Sequence, residues 1–327
     1  MLIKILEYFC PPFMKTSRGA SIVFISLILG YWLIYFYFYA DFNSLAHSTN
    51  NYYLNKINNP TIESREKLIK AYTKNIPKQI IKDPSKDIII DQYTSGFESI
   101  YEILPKKDNI YLYTTTNNAA STPIFSLVRT IGKGQNIILP IQKEKIYEDE
   151  TLFDDKKDDL VWRGSNTGGN KRVGIEKWVS IFDVGFNKID SKRYKGSADL
   201  RLFIKQDLKR EEKLKYKYIL MLEGKSVPKG LKQALYSNSL IFMPKPTMES
   251  ILLESQMIPW VHYVPVQNNL SDLKKKVDWA RQNEDKVKTI INNATEYIEF
   301  IDYQLDEELI KTILKEYADK IEIKFSK

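Results

Sequence analysis

The sequence is poor in the residues that build covalent or metal-bound frameworks. Cys10 is its only cysteine, which excludes an intrachain disulfide framework and any zinc site built on cysteine. The only histidines are His47 and His262, so a histidine-rich metal centre is excluded as well. There is also no internal repeat and no extended low-complexity tract. The chemistry of this chain must therefore rest on other side chains.

Charge is abundant but evenly spread. The chain has 49 Lys and Arg against 41 Asp and Glu, a net charge of +8. Most of the lysines are scattered, which indicates a solvated surface, although a phosphate-bearing ligand or an anionic membrane would also benefit. A nucleic-acid role would need basic residues clustered with aromatic ones. The one comparable run, residues 205–217, also contains Asp207, Glu211 and Glu212, so we expect no nucleic-acid partner.

One long uncharged run, ASIVFISLILGYWLIYFYFYA at residues 20–40, is long enough to cross a bilayer, which takes about 20 residues. Aromatic residues crowd its C-terminal end, as at a membrane interface. A cleaved signal peptide would have a shorter apolar core ending in small residues, and a buried core helix would show a polar face. We therefore predict a single-pass anchor in contact with membrane lipids. Lys4, Lys15 and Arg18 precede it and Asp41 follows, which favours a cytoplasmic N-terminus.

Beyond the anchor, short apolar runs alternate with helix-compatible segments such as residues 96–104. These runs are residues 87–90, 109–113 and 136–139. Strands that alternate with helices imply a parallel sheet with crossover helices. A helix is predicted at 61–73 with Thr61 as N-cap and Ser64 as the alternative, and apolar spacing from Leu273 onward predicts a long helical region at 273–317.

Residues 215–266 form the most informative stretch. An apolar strand, YILML, runs into the turn Glu223-Gly224-Lys225-Ser226, a helix is predicted at 229–236, and SLIFM reads as the next strand. In open α/β sheets ligands bind beyond the carboxyl ends of strands, where a helix N-terminus offers N–H groups to a phosphate. Candidate phosphate ligands here are Gly224, Ser226, Lys229 and Lys232. Alternatively, Gly224 only makes a tight turn.

Over a longer span the chain resembles glycosyltransferase family 90, which includes capsule-associated and lipopolysaccharide-modifying enzymes and the protein O-glucosyltransferases. The resemblance is carried by KYKY, the Gly turn, Lys232, SNSLIFMPKP, Glu249, Glu254, PWVHYVPV and the segment 269–273. Upstream, VWRGSNTGGNKR at 161–172 resembles the aromatic-Arg-Gly-Ser motif of the family. The likeness is pronounced over the C-terminal half, faint from residue 95 to 140 and absent before that.

The resemblance implies an α/β fold of the GT-B type, with two Rossmann-like domains facing a cleft, in addition to the transmembrane helix. The implied segments are a tail and anchor at 1–42, a stalk and linker helix at 43–76, an acceptor-side domain at 77–142, a linker at 143–159 and a nucleotide-sugar-binding domain at 160–327. The charge bias around the anchor fits members that act in a secretory lumen. It conflicts with a bacterial enzyme that uses cytoplasmic donors, so the side of the membrane stays open.

The implied activity is an inverting, metal-independent transfer of a hexose or xylose from a nucleotide sugar, such as a uridine diphosphate sugar, to a glycan or lipid-linked saccharide. Basic side chains would stabilise the departing diphosphate without a metal cofactor. The donor-binding candidates are Arg163, Gly164, Ser165, Lys171, Arg172, Gly224, Ser226, Lys229, Lys232, Glu249 and Glu254. Arg163 leads because a guanidinium grips a phosphate at two points, and its alternative role is a salt bridge beneath the Trp162 strand.

Two positions depart from the protein O-glucosyltransferase pattern. Thr115 stands where that branch has a catalytic aspartate, and a threonine cannot accept a proton at neutral pH. Asp91 is the substitute candidate for the base, with helix capping as its alternative role. Pro228 and Gly230 stand where the branch has a serine and an arginine aimed at the donor. A catalytically silent member that binds sugar nucleotide or glycan is therefore the second hypothesis.

A metal-dependent transferase of the other common fold is the third hypothesis, because Asp154 and Asp155 resemble an acidic pair that holds a divalent cation. No apolar strand precedes DDKKDD, which favours linker charge instead. Glu249 and Glu254 lie five residues apart on an expected helix and so on different faces, which leaves one free to reach donor hydroxyls. His262, between two apolar neighbours, is expected to be a core histidine rather than a base.

Overall fold

A computed structural model describes residues 64–78, 80–82, 113–114, 123–140, 145–167, 172, 174–189 and 200–323. These residues belong to one compact unit, Thr61–Lys327. The predicted anchor at 20–40, the stalk before residue 64 and the segments 87–90 and 96–104 lie outside the described residues. Within the described part, none of the helices combines the length and the apolar character needed to cross a bilayer.

The described elements alternate strands and helices, so the predicted α/β class with a parallel sheet is confirmed. The helices are α1 (Arg65–Thr73), α2 (Arg210–Lys213), α3 (Leu231–Leu235), α4 (Leu273–Gln282), α5 (Glu284–Gln304) and α6 (Glu307–Ala318). The first strands are β1 (Ile80–Lys82), β2 (Tyr113–Thr114), β3 (Ile124–Ser126), β4 (Arg129–Thr130), β5 (Asn136–Ile138) and β6 (Lys157–Ser165). The others are β7 (Asp183–Lys188), β8 (Tyr216–Leu220), β9 (Leu240–Pro244), β10 (Met248–Glu249), β11 (Val264–Val266) and β12 (Ile321–Ile323).

The principal sheet has five parallel strands in the order β11-β9-β8-β6-β7. The chain leaves β6 to one side to form β7, and then returns past β6 to form β8 on its other side. Two connections that depart in opposite directions open a crevice at the carboxyl ends of β6 and β8, which is where open α/β sheets bind ligands. The sheet order therefore predicts the location of the site.

The two faces of this sheet bury separate clusters because side chains alternate along a strand. Val161, Ile219 and Ile241 face a cluster that includes residues of α1, α3 and α6. The next residues along, such as Trp162 and Leu220, face a cluster that includes residues of α4 and the first half of α5. Strands buried on both faces have continuous apolar runs, which explains the sequences YILML and SLIFM.

A second parallel sheet, β2-β3-β5, contains the strand expected at 136–139 and the last residue of the run expected at 109–113, of which 109–112 lie outside the described residues. The short antiparallel pair β4 and β10 joins the polypeptide around this sheet to the segment after β9. In a separate two-stranded sheet, β1 pairs with β12 in parallel. The last two pairings join residues far apart in the chain, and the sequence patterns did not predict them.

The helix expected at 61–73 begins after Ser64, whose side chain accepts a hydrogen bond from Lys67 N at 3.3 Å. The alternative N-cap is therefore the correct one. Leu68 and Tyr72 of this helix are fully buried and belong to the core that includes residues of α6. The helix assigned to the stalk thus packs as part of the compact unit.

The predicted helical region at 273–317 is confirmed as α4, α5 and α6. All eight apolar positions that carried this prediction are buried, namely Leu273, Val277, Ala280, Val287, Ile290, Ile291, Ala294 and Ile298. Glu249 and Glu254, however, do not share a helix. Glu249 ends β10 and Glu254 begins a 3-10 turn, because a left-handed residue, Leu253 with φ 49°, interrupts the backbone between them.

Candidate active site

A cleft of about 380 Å³ lies at the crevice between β6 and β8. Its walls are the carboxyl-terminal residues of these two strands, the start of α3 and the short helix α2. Among the residues that the structure describes, five cationic side chains line it against a single carboxylate, Asp207. The cations are Arg163, Arg172, Arg210, Lys213 and Lys229. A cleft with this excess of positive charge favours an anionic ligand.

Arg172 joins the ends of the two strands that form the crevice. Its guanidinium donates to the carbonyl oxygens of Ser165 at 2.9 Å, Leu222 at 3.0 Å and Glu223 at 3.2 Å. It also donates to the hydroxyl of Thr167 at 3.0 Å. Burial lowers its pKa, but an arginine stays charged in proteins. Arg172 therefore places a fixed positive charge at the switch point.

Gly224 makes room for this arginine. A Cβ at this position would lie 2.8 Å from Arg172 Nη2 and 2.9 Å from Thr167 Oγ1, closer than side chains tolerate. The tight turn also closes on itself, since Gly224 N donates to Ser226 O at 3.1 Å. Gly164 has a similar role on β6, because the ring of Trp162 lies 2.7 Å from where its Cβ would be. Both glycines permit close packing around the cleft.

Arg163 lines the cleft, but most of its N–H donors are hydrogen-bonded to oxygen atoms of the protein. Its guanidinium donates to Asp183 Oδ1 at 2.8 Å, to the carbonyl oxygens of Asp183 and Trp162, and to Gln206 O. Burial alone would raise the pKa of Asp183, but hydrogen bonds from Tyr216, Arg163 and Lys205 hold it well below its ordinary value. The alternative expectation, a salt bridge beneath the Trp162 strand, is therefore what the structure contains.

The cleft brings together five of the predicted donor-binding residues: Arg163, Gly164, Ser165, Arg172 and Lys229. Lys171 and Asp91 lie outside the described residues. Ser226 is not part of the lining, although its backbone closes the Gly224 turn. The helix that was expected to hold a phosphate at its N-terminus spans only Leu231–Leu235, so side chains rather than a helix dipole supply the positive charge.

Lys232 is not part of the lining, and its buried side chain forms an ion pair with the partly exposed Asp302. Its Nζ lies 2.6 Å from Asp302 Oδ1, and Tyr236 donates to the other oxygen of the same carboxylate at 2.8 Å. The pair fastens α3 to α5. Asp302 lies far from Lys232 in the sequence. The local spacing that made Lys232 a phosphate candidate could therefore not predict this ion pair.

Glu249 and Glu254 are also remote from the lining of the cleft. The Glu249 carboxylate is fully buried and accepts from Arg129 Nε at 2.7 Å, and from Lys74 and Ser255. Glu254 accepts from the backbone N and the hydroxyl of Ser250, at 2.5 Å and 2.7 Å. Both buried carboxylates thus have their hydrogen-bond partners within the protein, which assigns them a structural role.

His262 is a core histidine, as expected. Its Nδ1 accepts a hydrogen bond from Ile258 N at 2.9 Å, and its ring lies 4.8 Å from that of Tyr297. Burial lowers its pKa to about 4, so the imidazole is neutral near pH 7. It lies in the turn before β11 rather than within the strand.

The acidic pair of the metal hypothesis lies in a 3-10 turn just before β6, where Asp154 pairs with Lys288 at 2.9 Å. Among the described side chains, no group of three carboxylates, histidines or cysteines is placed to hold a metal ion. Of the other charges in DDKKDD, Asp158 pairs with Arg281 at the surface, 3.0 Å apart, and Lys156 forms a buried pair with Asp149 at 2.7 Å.

Sequence reasoning missed Asp207, Arg210 and Lys213. All three lie in the run 205–217, whose mixed charge indicates a solvated helix. In the structure the run is an extended segment followed by the four residues of α2, and it forms one wall of the cleft. The position of these three residues shortly before the KYKY strand at 215–218 was the available signal.

Comparison with known proteins adds an independent result. The sequence profile of Glycosyl transferase family 90 matches residues 132–327. O-glucosyltransferase LpsA of Dichelobacter nodosus is 28% identical over 155 residues, which cover 47% of this chain and 46% of the relative. Protein O-glucosyltransferase 3 of Rattus norvegicus is 36% identical over 77 residues, which cover 23% of this chain and 15% of the relative.

A viral protein is similar to this chain over a length close to that of the match to O-glucosyltransferase LpsA. Uncharacterized protein 027R of Frog virus 3 is 29% identical over 161 residues, which cover 40% of this chain and 16% of the relative. The chain thus spans less than half the length of these relatives. The part that matches the family profile contains β6, β8, Arg172 and the whole lining of the cleft.

Proposed function

The chain belongs to glycosyl transferase family 90, and on that premise we propose that it is an inverting glycosyltransferase. Its donor is a nucleotide sugar, for which we favour a uridine diphosphate hexose or xylose, and its acceptor is a glycan, lipopolysaccharide or capsule-type saccharide. The observation that carries this proposal is the cationic cleft at the β6 and β8 switch point. Such a position and such a charge suit the diphosphate of a sugar nucleotide.

In the proposed reaction an acceptor hydroxyl attacks the anomeric carbon of the donor sugar from the face opposite the diphosphate. The carbon–oxygen bond to the diphosphate breaks, and the diphosphate leaves with the electron pair. A carboxylate takes the proton of the hydroxyl. The cationic lining stabilises the charge that develops on the leaving group, which is a reason to propose that no metal is required.

Asp91 is the proposed base, from the sequence. Asp207, the one carboxylate among the described residues of the lining, accepts a hydrogen bond from Leu208 N at 3.0 Å and shares the cleft with five cations. Asp91→Asn tests the assignment, with Glu98→Gln and Asp108→Asn as comparisons at two further carboxylates between Asp91 and Thr115. Transfer should fall by a factor of about 100 or more in the variant that lacks the base. If all three keep wild-type transfer, Asp91 is not the base.

The GT-B architecture is the structural part of the proposal. The five-stranded sheet and the separate parallel sheet β2-β3-β5 are compatible with two Rossmann-like halves, divided as residues 77–142 and 160–327. A single-pass membrane anchor at 20–40 is proposed from its uncharged sequence. It would hold the enzyme near a lipid-linked acceptor.

The function is tested with the full chain in mild detergent and a panel of nucleotide sugars, by measuring binding and slow donor hydrolysis. One donor should bind and be hydrolysed, and Lys229→Gln should weaken that binding several-fold. Lys215→Gln, an exposed lysine outside the cleft, is the matched control and should bind normally. If no nucleotide sugar binds, the proposed function is wrong.

A catalytically silent protein is the second candidate. It is favoured by the lining, which among the described residues contains Asp207 as its one carboxylate, and by Thr115 at the expected position of the base. Such a protein would bind one donor and turn over none of them, even with saccharide acceptors present. Transfer to any acceptor would exclude it.

A further inference from the structure

Lys213 ends the short helix α2, and its backbone is held in place on both sides. Lys213 N donates to Lys209 O at 3.2 Å, and Leu214 N donates to Arg210 O at 3.2 Å. The next side chain, Leu214, is buried in the core, and its carbonyl accepts from the buried ammonium of Lys156. The position of Lys213 in the wall of the cleft is therefore fixed by packing, while its own side chain is only half-buried.

The five cations of the lining differ in how many of their N–H donors already bond to oxygen atoms of the protein. Arg172 donates to three carbonyls and a hydroxyl, and Arg163 is held by Asp183. Arg210 donates to Lys145 O at 3.5 Å. The side-chain ammonium groups of Lys213 and Lys229, by contrast, make no hydrogen bond and no ion pair with any residue that the structure describes.

The charge around Lys213 is predominantly positive. Burial lowers the pKa of its ammonium; Asp207 raises it, and Arg163, Arg210 and Lys229 each lower it further. Three cations and one carboxylate around a half-buried ammonium leave a local excess of positive charge. An anion bound there would relieve the repulsion among these groups and would accept the unused N–H donors.

We propose that Lys213, which precedes β8 in the chain, binds the diphosphate of the donor together with Lys229, which follows β8. This inference rests on the proposed function, because it names the residue that recognises the leaving group at the same site. A lysine suits the role, since its flexible stem lets the ammonium follow the phosphate as the bond to the sugar breaks. Arg163 and Arg172 then frame the cleft and need not give up their hydrogen bonds.

The test compares binding of nucleoside diphosphates and nucleosides to the full chain, starting with uridine diphosphate and uridine. Lys213→Gln should weaken diphosphate binding about tenfold or more, because a charged hydrogen bond is lost. Binding of the nucleoside should not change. Lys213→Arg should retain most of the affinity, and Lys215→Gln, two residues along and exposed, should retain all of it.

A second measurement uses the wild-type chain and does not depend on how a variant folds. An amine-acylating reagent should modify Lys213, and uridine diphosphate should protect it while uridine does not. Lys215 is the internal control and should be modified equally under all conditions.

The outcomes separate the two hypotheses. If a nucleoside diphosphate binds the wild type but Lys213→Gln binds it equally well and no protection is seen, the role of Lys213 is wrong and the proposed function stands. If no nucleoside diphosphate binds the wild type, the proposed function is wrong and the role of Lys213 falls with it.

Discussion

Arg129 and Glu249 face each other as cross-strand partners in the β4 and β10 ladder, and their buried side chains form an ion pair with Nε and Oε1 2.7 Å apart. Arg129 also donates to the carbonyl oxygens of Tyr72 and Ala71 in α1. Burial alone would raise the pKa of Glu249, but the charge of Arg129 and hydrogen bonds from Lys74, Ser255 and Arg129 lower it. The pair therefore ties three distant segments together in its charged form.

Glu249→Gln should destabilise the protein by about 3–5 kcal/mol, because it leaves the guanidinium of Arg129 buried without a counter-charge. Urea unfolding measures the effect. The exposed pair of Lys274 and Asp278, 2.6 Å apart, supplies the control: Asp278→Asn should cost less than about 1 kcal/mol. The double replacement Arg129→Met with Glu249→Met should recover part of the loss, since no buried charge remains. Equal losses at the buried and exposed pairs would contradict this interpretation.

Gly224→Ala tests the close approach of Arg172 to the Gly turn. The new methyl group would displace the guanidinium from its carbonyl partners, so donor binding should weaken by about tenfold and stability should fall by about 1–3 kcal/mol. Titration with uridine diphosphate and thermal unfolding measure the two effects. Gly132→Ala is the comparison, because Gly132 has φ +71° but open space around it. It should lose about 1 kcal/mol from backbone strain and bind the donor normally.

His262 and Glu254 both lie beside Tyr297 and should give opposing pH dependences. Burial lowers the pKa of His262 from 6.5 to about 4, so the unfolded chain takes up the proton first and stability falls as the pH drops from about 6.5 to 4. Burial raises the pKa of Glu254 from 4.5 to about 7, although Ser250 opposes this, so stability falls as the pH rises from 4.5 to about 7. Each effect amounts to about 3 kcal/mol, and the two nearly cancel.

Single variants should separate these two contributions. With His262→Asn, which keeps an acceptor for Ile258 N, unfolding free energy should decrease from pH 5 to 7. With Glu254→Gln it should increase from pH 4.5 to 6.5. Denaturant unfolding at several pH values measures both slopes. Parallel curves for both variants and the wild type would show that neither group titrates as stated.

Local patterns in the sequence predicted those parts of the fold that local physics determines. The apolar run before Gly224, the strand after α3 and the spacing from Leu273 to Ile298 each depend on neighbouring residues, and each was confirmed. The cap at Ser64 was found as an alternative for the same reason. A motif of the family led to Arg172, and the local pattern around the Gly turn led to Lys229; both line the cleft.

Such local patterns could not predict pairs of side chains that are distant in the chain. Lys232 meets Asp302, and Glu249 meets Arg129, only after the sheet and helices have assembled. From the sequence, Lys232 and Glu249 therefore resembled ligands for the donor. In the structure, each is paired with an oppositely charged side chain of the protein. Lys213 was missed for the converse reason: its acidic neighbours in sequence, Glu211 and Glu212, indicate a solvated segment, whereas its neighbours in space are mostly cations.

The last prediction concerns the metal. If the cations of the cleft stabilise the leaving diphosphate, hydrolysis of the donor should continue at an unchanged rate in excess chelator, and added Mg²⁺ or Mn²⁺ should raise it less than about twofold. Donor hydrolysis is followed by release of the nucleoside diphosphate. In Lys213→Gln, added Mg²⁺ or Mn²⁺ should raise the rate of donor hydrolysis more than in the wild type. A divalent cation can partly replace the positive charge that this substitution removes. A rate that collapses in chelator and returns with Mn²⁺ in the wild type would instead favour a metal-dependent transferase.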